Sequence, residues 1–576
     1  MAVGQLLTTL LGLASAVSAT ALPKASCSPQ DLLNEALDAL GGEDKIGEIK
    51  GLTYHSPRIF RSRSLMQSYE LTRADTYVAT SGSQNISFRV DQGFLEQRID
   101  RRLVPSNHWY WGSQELKPLE FSLVVNEGKD GFACYVKGNN QIYLPQELAP
   151  GYVDCMSLPF IFITQLLTFT AALTYNLIVQ AQTFSPHLIY RMRDTKSISA
   201  ITVDINGIEF PAVYDPSREI TVILDPKSKV PYIIRTAEQH PIYGESTKDL
   251  YLSDYKKVKG IQFPHLVQTI YNSTAQNLNQ VLEDFIIEEV TLNPKFPKGF
   301  FDGIDEEKSF APKSGPKKIP GVLDGVVTEF NTNMLGTAFK NASIENLKVE
   351  TPLKDLPYVH WVIVDDGDEM GVKQLVIEFE NEVIVCDAPP QWSQAVMQWV
   401  AENLKKPITH VAPTHHHGDH AGGTADYVAA GAKLIIPDMA VDYWSSIPGA
   451  TFVTFNQTHP YVHRDSKIQA WFNWEQQAVH ASDWSYVTIT ERCPTANSTI
   501  VAFEADAWEA GLDAEISNQG LMRQWLNQIL GDGLSRDAIV FPAHGKVTPL
   551  SELINITAFP YPDFDVTHWK QGAALC

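Results

Sequence analysis

The chain has 576 residues, more than one hydrophobic core usually organises, so two or more domains are the default expectation. A composition of 44% hydrophobic and 19% charged residues is that of an ordinary globular protein and excludes a disordered or fibrous chain. Acidic residues outnumber basic ones 67 to 45, and the resulting charge of −22 repels nucleic acid and anionic membrane surfaces, which sets polyanion partners aside.

Residues 1–21 read as a signal peptide. Leu6 to Ala19 is apolar, too short to span a bilayer, and runs into small residues suited to cleavage near Ala19 or Ala21. No Lys or Arg precedes it. The sequons Asn85, Asn272, Asn341, Asn456, Asn497 and Asn555 point the same way, because Asn-x-Ser/Thr acceptors matter only in a secretory lumen. A secreted, extracellular glycoprotein is expected. In that oxidising setting Cys134 with Cys155, or Cys27 and Cys493 with the terminal Cys576, offer disulfides, although spacing does not dictate the pairing. Cys386 lies in the apolar run Val383 to Cys386 and reads as a small core residue.

A mainly antiparallel β domain is expected over residues 28–310. It opens with a short helical pattern, Asp31 to Leu40, ended by Gly41 and Gly42. Strand-length runs follow, among them Ile220 to Leu224, Tyr232 to Thr236 and Leu266 to Tyr271, separated by Pro, Gly, Asn and Asp. Leu158 to Val179 carries no charge and is long enough to cross a membrane; its Gln165, Asn176, several Thr and the leading Pro159 favour a buried helix instead. Trp109, Tyr110 and Trp111 read as core or interface. A linker is placed at 311–325, around Lys-Ser-Gly-Pro-Lys-Lys-Ile-Pro-Gly. Beyond it, over 326–576, runs at Trp361 to Val364, Leu375 to Phe379 and Val383 to Cys386 precede a helical stretch, Ser393 to Leu404, which is an α/β pattern. The whole is therefore α+β.

The chemistry concentrates after the strand-like Ile408 to Ala412, where residues 414–423 read Thr-His-His-His-Gly-Asp-His-Ala-Gly-Gly. Imidazoles and a carboxylate crowded on one loop are unfavourable unless they bind something, and both are good ligands for Zn²⁺. His415-x-His417-x-Asp419-His420 with Gly422 and Gly423 resembles the signature of the metallo-β-lactamase superfamily of αβ/βα-sandwich hydrolases, over roughly Thr328 to Thr548. Lys406 to His410 ahead of it resembles a subgroup with a front lipoprotein-carrier-like β domain, a likeness also carried by Ala36 to Gly42, Ser253 to Tyr255 and Gly260 to Pro264.

The resemblance implies three further ligands. His480 is chosen as the third histidine over His459 and His463, because strand-like Tyr486 to Ile489 and Thr499 to Phe503 then lead to an aspartate. Asp506 is chosen as the bridging carboxylate, with Glu504, on the same face of an ideal strand, as its rival. His544, followed by Gly545, closes the set. Carried over, these residues imply two Zn²⁺ per chain, one held by His415, His417 and His480, the other by Asp419, His420 and His544, with Asp506 between. Such a pair lowers the pKa of a shared water and presents hydroxide as nucleophile, while Asp419 serves catalysis by orienting it or shuttling its proton. Di-iron relatives resemble the same motif with Glu in place of the second histidine, whereas position 417 is His, better suited to zinc. His416 is expected to face away from the metals, and Glu402, Asp387 and Asp438 to be solvated or outer groups.

The function implied is a secreted zinc-dependent hydrolase of an ester, lactone, amide, thioester or phosphoester bond. The alternative is a secreted small-molecule-binding protein whose zinc centre is structural. Either way the expected partner is a small molecule, with neither nucleic acid nor membrane.

Overall fold

The computed structural model describes residues 28–62, 81–91, 93–104, 118–128, 131–139, 152–153, 181–240, 244–273, 279–302, 342–364, 372–478, 480–510, 519–571 and 576. The expected signal peptide, the 311–325 linker, Leu158 to Val179, Trp109 to Trp111, Asn341, Cys27 and Cys155 lie outside the described residues, as does the side chain of Cys134.

The first helix, Pro29–Leu40, forms where local chemistry demands it. Ser28 Oγ accepts the Asp31 backbone N–H at 3.1 Å and the Asp31 carboxylate accepts the Ser28 N–H, a reciprocal cap that satisfies two otherwise orphaned donors. Leu32, Leu33, Ala36 and Leu37 share its buried face. That face packs on an antiparallel sheet of fourteen strands, helped by the short helix Leu188–Arg193 and by Phe184. Tyr54, Ile86, Ile99 and Leu123 stand side by side on four neighbouring strands, and all four are buried, which is how alternation in sequence becomes one apolar face.

The C-terminal part is a sandwich of two sheets. One has seven strands, Lys348–Glu350, Val359–Ile363, Lys373–Glu378, Val383–Cys386, Ile408–Ala412, Lys433–Pro437 and Phe452–Phe455, the last four parallel. The other has six, Tyr461–Arg464, Ile468–Trp474, Ser485–Glu491, Ile500–Glu504, Ile539–Pro542 and Thr548–Pro549. Because helices cover both outer faces, the central strands are buried on both sides and read as unbroken apolar runs. In Val383–Cys386 the odd positions, Val383 and Val385, pack outward under the helices Ser393–Asn403 and Thr424–Ala429; Ile384 and Cys386 pack inward between the sheets. Ile500–Glu504 repeats the pattern: Ile500 and Ala502 face the helices Gln519–Asp532 and Leu550–Thr557, and Val501 and Phe503 face the inner core. Tyr271 and Leu282, from neighbouring strands of the large sheet, join the outer apolar cluster of the seven-stranded sheet.

Cys493 pairs with Cys576, and Cys386 is free and buried, as its place in a core strand required. Among the described residues no helix is long and apolar enough to cross a membrane.

Candidate metal centre

The histidine-rich segment leaves the C-terminal end of the parallel strand Ile408–Ala412, the edge where α/β sheets place their ligands. His415 and His417 lie in the loop, and the helical turn Gly418–Ala421 brings His420 back beside them, its N–H bonded to the His417 carbonyl at 3.0 Å. Asp419 occupies the same turn; its side chain is outside the described atoms. Two other loops complete the cluster. His480 Nε2 lies 3.2 Å from His415 Nε2 and 3.1 Å from His417 Nδ1. Asp506 Oδ2 lies 3.4 Å from His415 Nε2, 3.0 Å from His480 Nε2 and 3.1 Å from His420 Nε2, while its Oδ1 lies 3.3 Å from His544 Nε2. The donors thus fall into two groups, His415, His417, His480 and Asp506, and His420, Asp506 and His544, sharing the one carboxylate.

This arrangement fits divalent cations. Tetrahedral zinc with bonds of about 2.0–2.1 Å requires donors roughly 3.3 Å apart; four donor pairs of the first group lie 3.0 to 3.4 Å apart, and all of its donor atoms lie within 4.8 Å of one another. Burial drives the His415 pKa down to about 3, with the neighbouring His420 adding to the effect, and burial drives that of His417 well below the usual value. Both rings are therefore neutral at physiological pH. Where His480 Nε2 meets His417 Nδ1 at 3.1 Å, either one ring donates an N–H to the other or both turn lone pairs toward a shared cation, and the second arrangement is the one a metal site uses. For Asp506 burial opposes ionisation, but the surrounding histidines, His420 first, outweigh it and hold the carboxyl well below its ordinary range.

Backbone geometry decides which acid serves. Asp506 follows its strand in the left-handed region, φ 63°, a conformation aspartate tolerates better than most residues. The kink breaks the strand alternation that made Glu504 a rival. Glu504 instead accepts the N–H groups of Ala507 and Trp508 at 3.1 and 3.3 Å, and burial, reinforced by the charge of Asp506, raises its pKa well above the carboxylate range. His544 is held by the residue after it: Gly545 has φ 112°, and a Cβ there would stand 2.4 Å from the Ala510 carbonyl oxygen, so only glycine fits.

The outer groups are as specific. Asp387, fully buried at the end of Val383–Cys386, accepts the Thr414 backbone N–H at 2.7 Å with one oxygen and the His420 Nδ1–H at 2.8 Å with the other. It thereby sets the His420 tautomer, so that Nε2 faces Asp506. By sequence Asp387 groups with Glu402 and Asp438 as a solvated or outer residue; no local pattern marks it, and only the meeting of two parallel strands shows its role. Glu402 bonds Gln398 on an exposed helix face, and Asp438 bonds Asn456. The rivals of His480 lie elsewhere: His463 Nε2 contacts Glu382 at 3.0 Å, and His459 sits in an exposed turn with Asn456 and Thr458. His416 turns away from the cluster to Asp483.

Residues 367–472 match the sequence profile of the metallo-β-lactamase superfamily. The likeness to that superfamily lies in this segment. The match contains the whole His415–His420 motif and ends short of His480, Asp506 and His544, so for this metallo-β-lactamase-like domain the last three donors rest on the geometry alone. Solved structures similar to the chain include a metallo-β-lactamase from Pontibacter korlensis, 15% identical, covering 37% of this chain and 97% of that one with a TM-score of 0.28. A metallo-β-lactamase from Hirschia baltica is 16% identical over 38% of this chain and 98% of its own, with a TM-score of 0.27. No curated protein sequence matches the chain.

Proposed function

We propose that the protein is a secreted, zinc-dependent hydrolase with two domains, 28–310 and 326–576, that cleaves an ester, lactone, amide, thioester or phosphoester bond in a small molecule. The observation that carries this reading is the convergence of imidazoles from three loops on the ionised Asp506. His415, His417 and His480 would hold one Zn²⁺, and Asp419, His420 and His544 a second, with Asp506 between. Bound there, the pair would lower the pKa of a shared water and polarise the scissile carbonyl or phosphoryl oxygen. The chain's own part is positional. Asp387 fixes the orientation of His420, Gly545 that of His544, and Asp419 orients the attacking group or carries its proton away.

Exposure favours catalysis over a purely structural zinc site, in which ligands close around the ion. His415 and His420 are sealed, but His480 and Asp506 keep 16% and 17% of their side-chain surface open, so a substrate has one side from which to approach. Secretion is supported by the N-terminal apolar stretch, the sequons and the Cys493–Cys576 bridge. The large sheet we read as a lipoprotein-carrier-like scaffold that cradles an apolar ligand, covers the metal site or mediates dimerisation. The test is turnover of a panel of ester, lactone, amide, thioester and phosphodiester substrates by protein loaded with two equivalents of zinc. Activity lost in His417→Ala supports the reading; full zinc occupancy with no turnover favours the binding protein.

A further inference from the structure

His416 stands between two metal-facing histidines and faces neither group of donors. Its Nδ1 donates to Asp483 Oδ1 at 2.7 Å, and both side chains are almost fully buried. Its Nε2, also buried, has no hydrogen-bond partner among the described residues, and the Tyr443 ring meets it edge-on at 5.4 Å. Among the described residues Asp483 is therefore the only polar attachment of this ring. A buried polar pair of this kind is a poor source of stability, since desolvation consumes most of its attraction and apolar residues of the same size often do better. Its position suggests another use.

Asp483 lies three residues beyond His480, in a short segment whose consecutive residues each grip a different part of the site. Trp484 Nε1 donates to the Ala505 carbonyl at 2.6 Å, next to Asp506. The Ser485 N–H and hydroxyl both donate to the Thr414 carbonyl, at 2.7 and 2.9 Å, next to His415. Three loops far apart in sequence are thus tied through residues 483–485. The Thr414 and Ala505 ties use the backbone, which leaves the loop between His415 and His417 with one side-chain anchor in this segment, His416.

We propose that His416 and Asp483 form a positioning latch, which holds the His415–His417 loop against the loop of His480 so that the three imidazoles converge before metal arrives. The latch rests on the metal-centre reading above, and it assigns to the middle histidine of the Thr-His-His-His run a role that is neither ligation nor catalysis. Without it the Ser485 and Trp484 ties still hold the flanking backbone, but the turn between His415 and His417 loses its side-chain tie to the His480 loop, and metal binding must supply the missing order.

The measurement is zinc affinity of the full-length protein by chelator competition, with thermal unfolding of the metal-free form alongside. His416→Ala and Asp483→Ala are each expected to weaken zinc binding about tenfold or more, and the double variant no further than the worse single one. His416→Asn, whose amide keeps a donor near the Nδ1 position, is expected to recover most of the affinity. A pair that only supports the core would lower the melting temperature of the metal-free protein and leave zinc affinity unchanged. That result in both alanine variants overturns the latch. Should His416→Ala not fold, Asp483→Asn takes its place: it keeps the shape but loses the charge, with an expected loss of about threefold, and wild-type affinity in it sinks the proposal. If the wild-type protein binds no zinc, the metal-centre reading falls instead.

Discussion

Asp387→Asn isolates a single carboxylate that no substrate needs to touch. In the native site both oxygens accept, from Thr414 N–H at 2.7 Å and His420 Nδ1–H at 2.8 Å, with no exposed surface to let water substitute. Asparagine can satisfy only one of these donors, and its amide turns two hydrogens toward the other. A charge-assisted hydrogen bond in such a place is worth about 1.5–3 kcal/mol, and a stranded buried donor costs a further ~1–3 kcal/mol. A net destabilisation of about 3 kcal/mol follows, measurable as a shift of the urea unfolding midpoint of the metal-free protein with unchanged slope. His420 also loses the partner that sets its tautomer, and zinc affinity at its group should fall about 10- to 100-fold. If the variant unfolds within about 0.5 kcal/mol of wild type and binds both equivalents of zinc as tightly, then Asp387 does not organise the centre and His420 must take its orientation from other neighbours.

Other expectations are as direct. Burial lowers the pKa of His187 to about 4 and of His415 to about 3 from 6.5, so the unfolded chain binds more protons between those values and 6.5. Stability of the metal-free protein is therefore full above pH 6.5 and falls as the pH drops below it, by on the order of 3 kcal/mol per histidine once their folded values are reached; a flat profile between pH 7 and pH 4 in denaturant titrations contradicts this. Replacing Cys493 and Cys576 by serine opens a crosslink between residues 83 apart in sequence, for which loop entropy gives about 4.5 kcal/mol, to be read from urea unfolding under oxidising conditions. Glu504→Gln mimics the protonated acid that burial favours and should leave unfolding free energy within about 1 kcal/mol of wild type, whereas Asp506→Asn should remove zinc binding by both groups, as equilibrium dialysis would report. Glycan mapping on protein expressed through a secretory pathway should find Asn497 and Asn555, both exposed, occupied; Asn272 should be the least occupied, because its amide already donates to Asp249 at 2.9 Å and Thr247 at 3.2 Å.

Local patterns carried much of this protein in its sequence. The Ser28–Asp31 cap and Gly41 delimit a helix because capping is a transaction among residues three or four apart. Val383 to Cys386 and Ile500 to Glu504 are legible as buried strands because each successive side chain meets an apolar layer on one face or the other. The His415–His420 motif needed no fold to be recognised, since the spacing alone crowds its donors onto one loop.

What depends on distance across the chain was decided by the tertiary structure. Sequence context favours His480 over His459 and His463, but it is the pairing of Ser485–Glu491 with its neighbours that carries it to the cluster. Glu504 and Asp506 are set apart by a left-handed turn of the backbone at Asp506, a dihedral no alternation pattern announces. The offices of Asp387 and His416 likewise exist only where two loops meet. Composition and periodicity report what each residue does to its own backbone and nearest face, while a metal centre is a set of donors at about 3 Å from one another, a condition imposed by the packing of whole sheets.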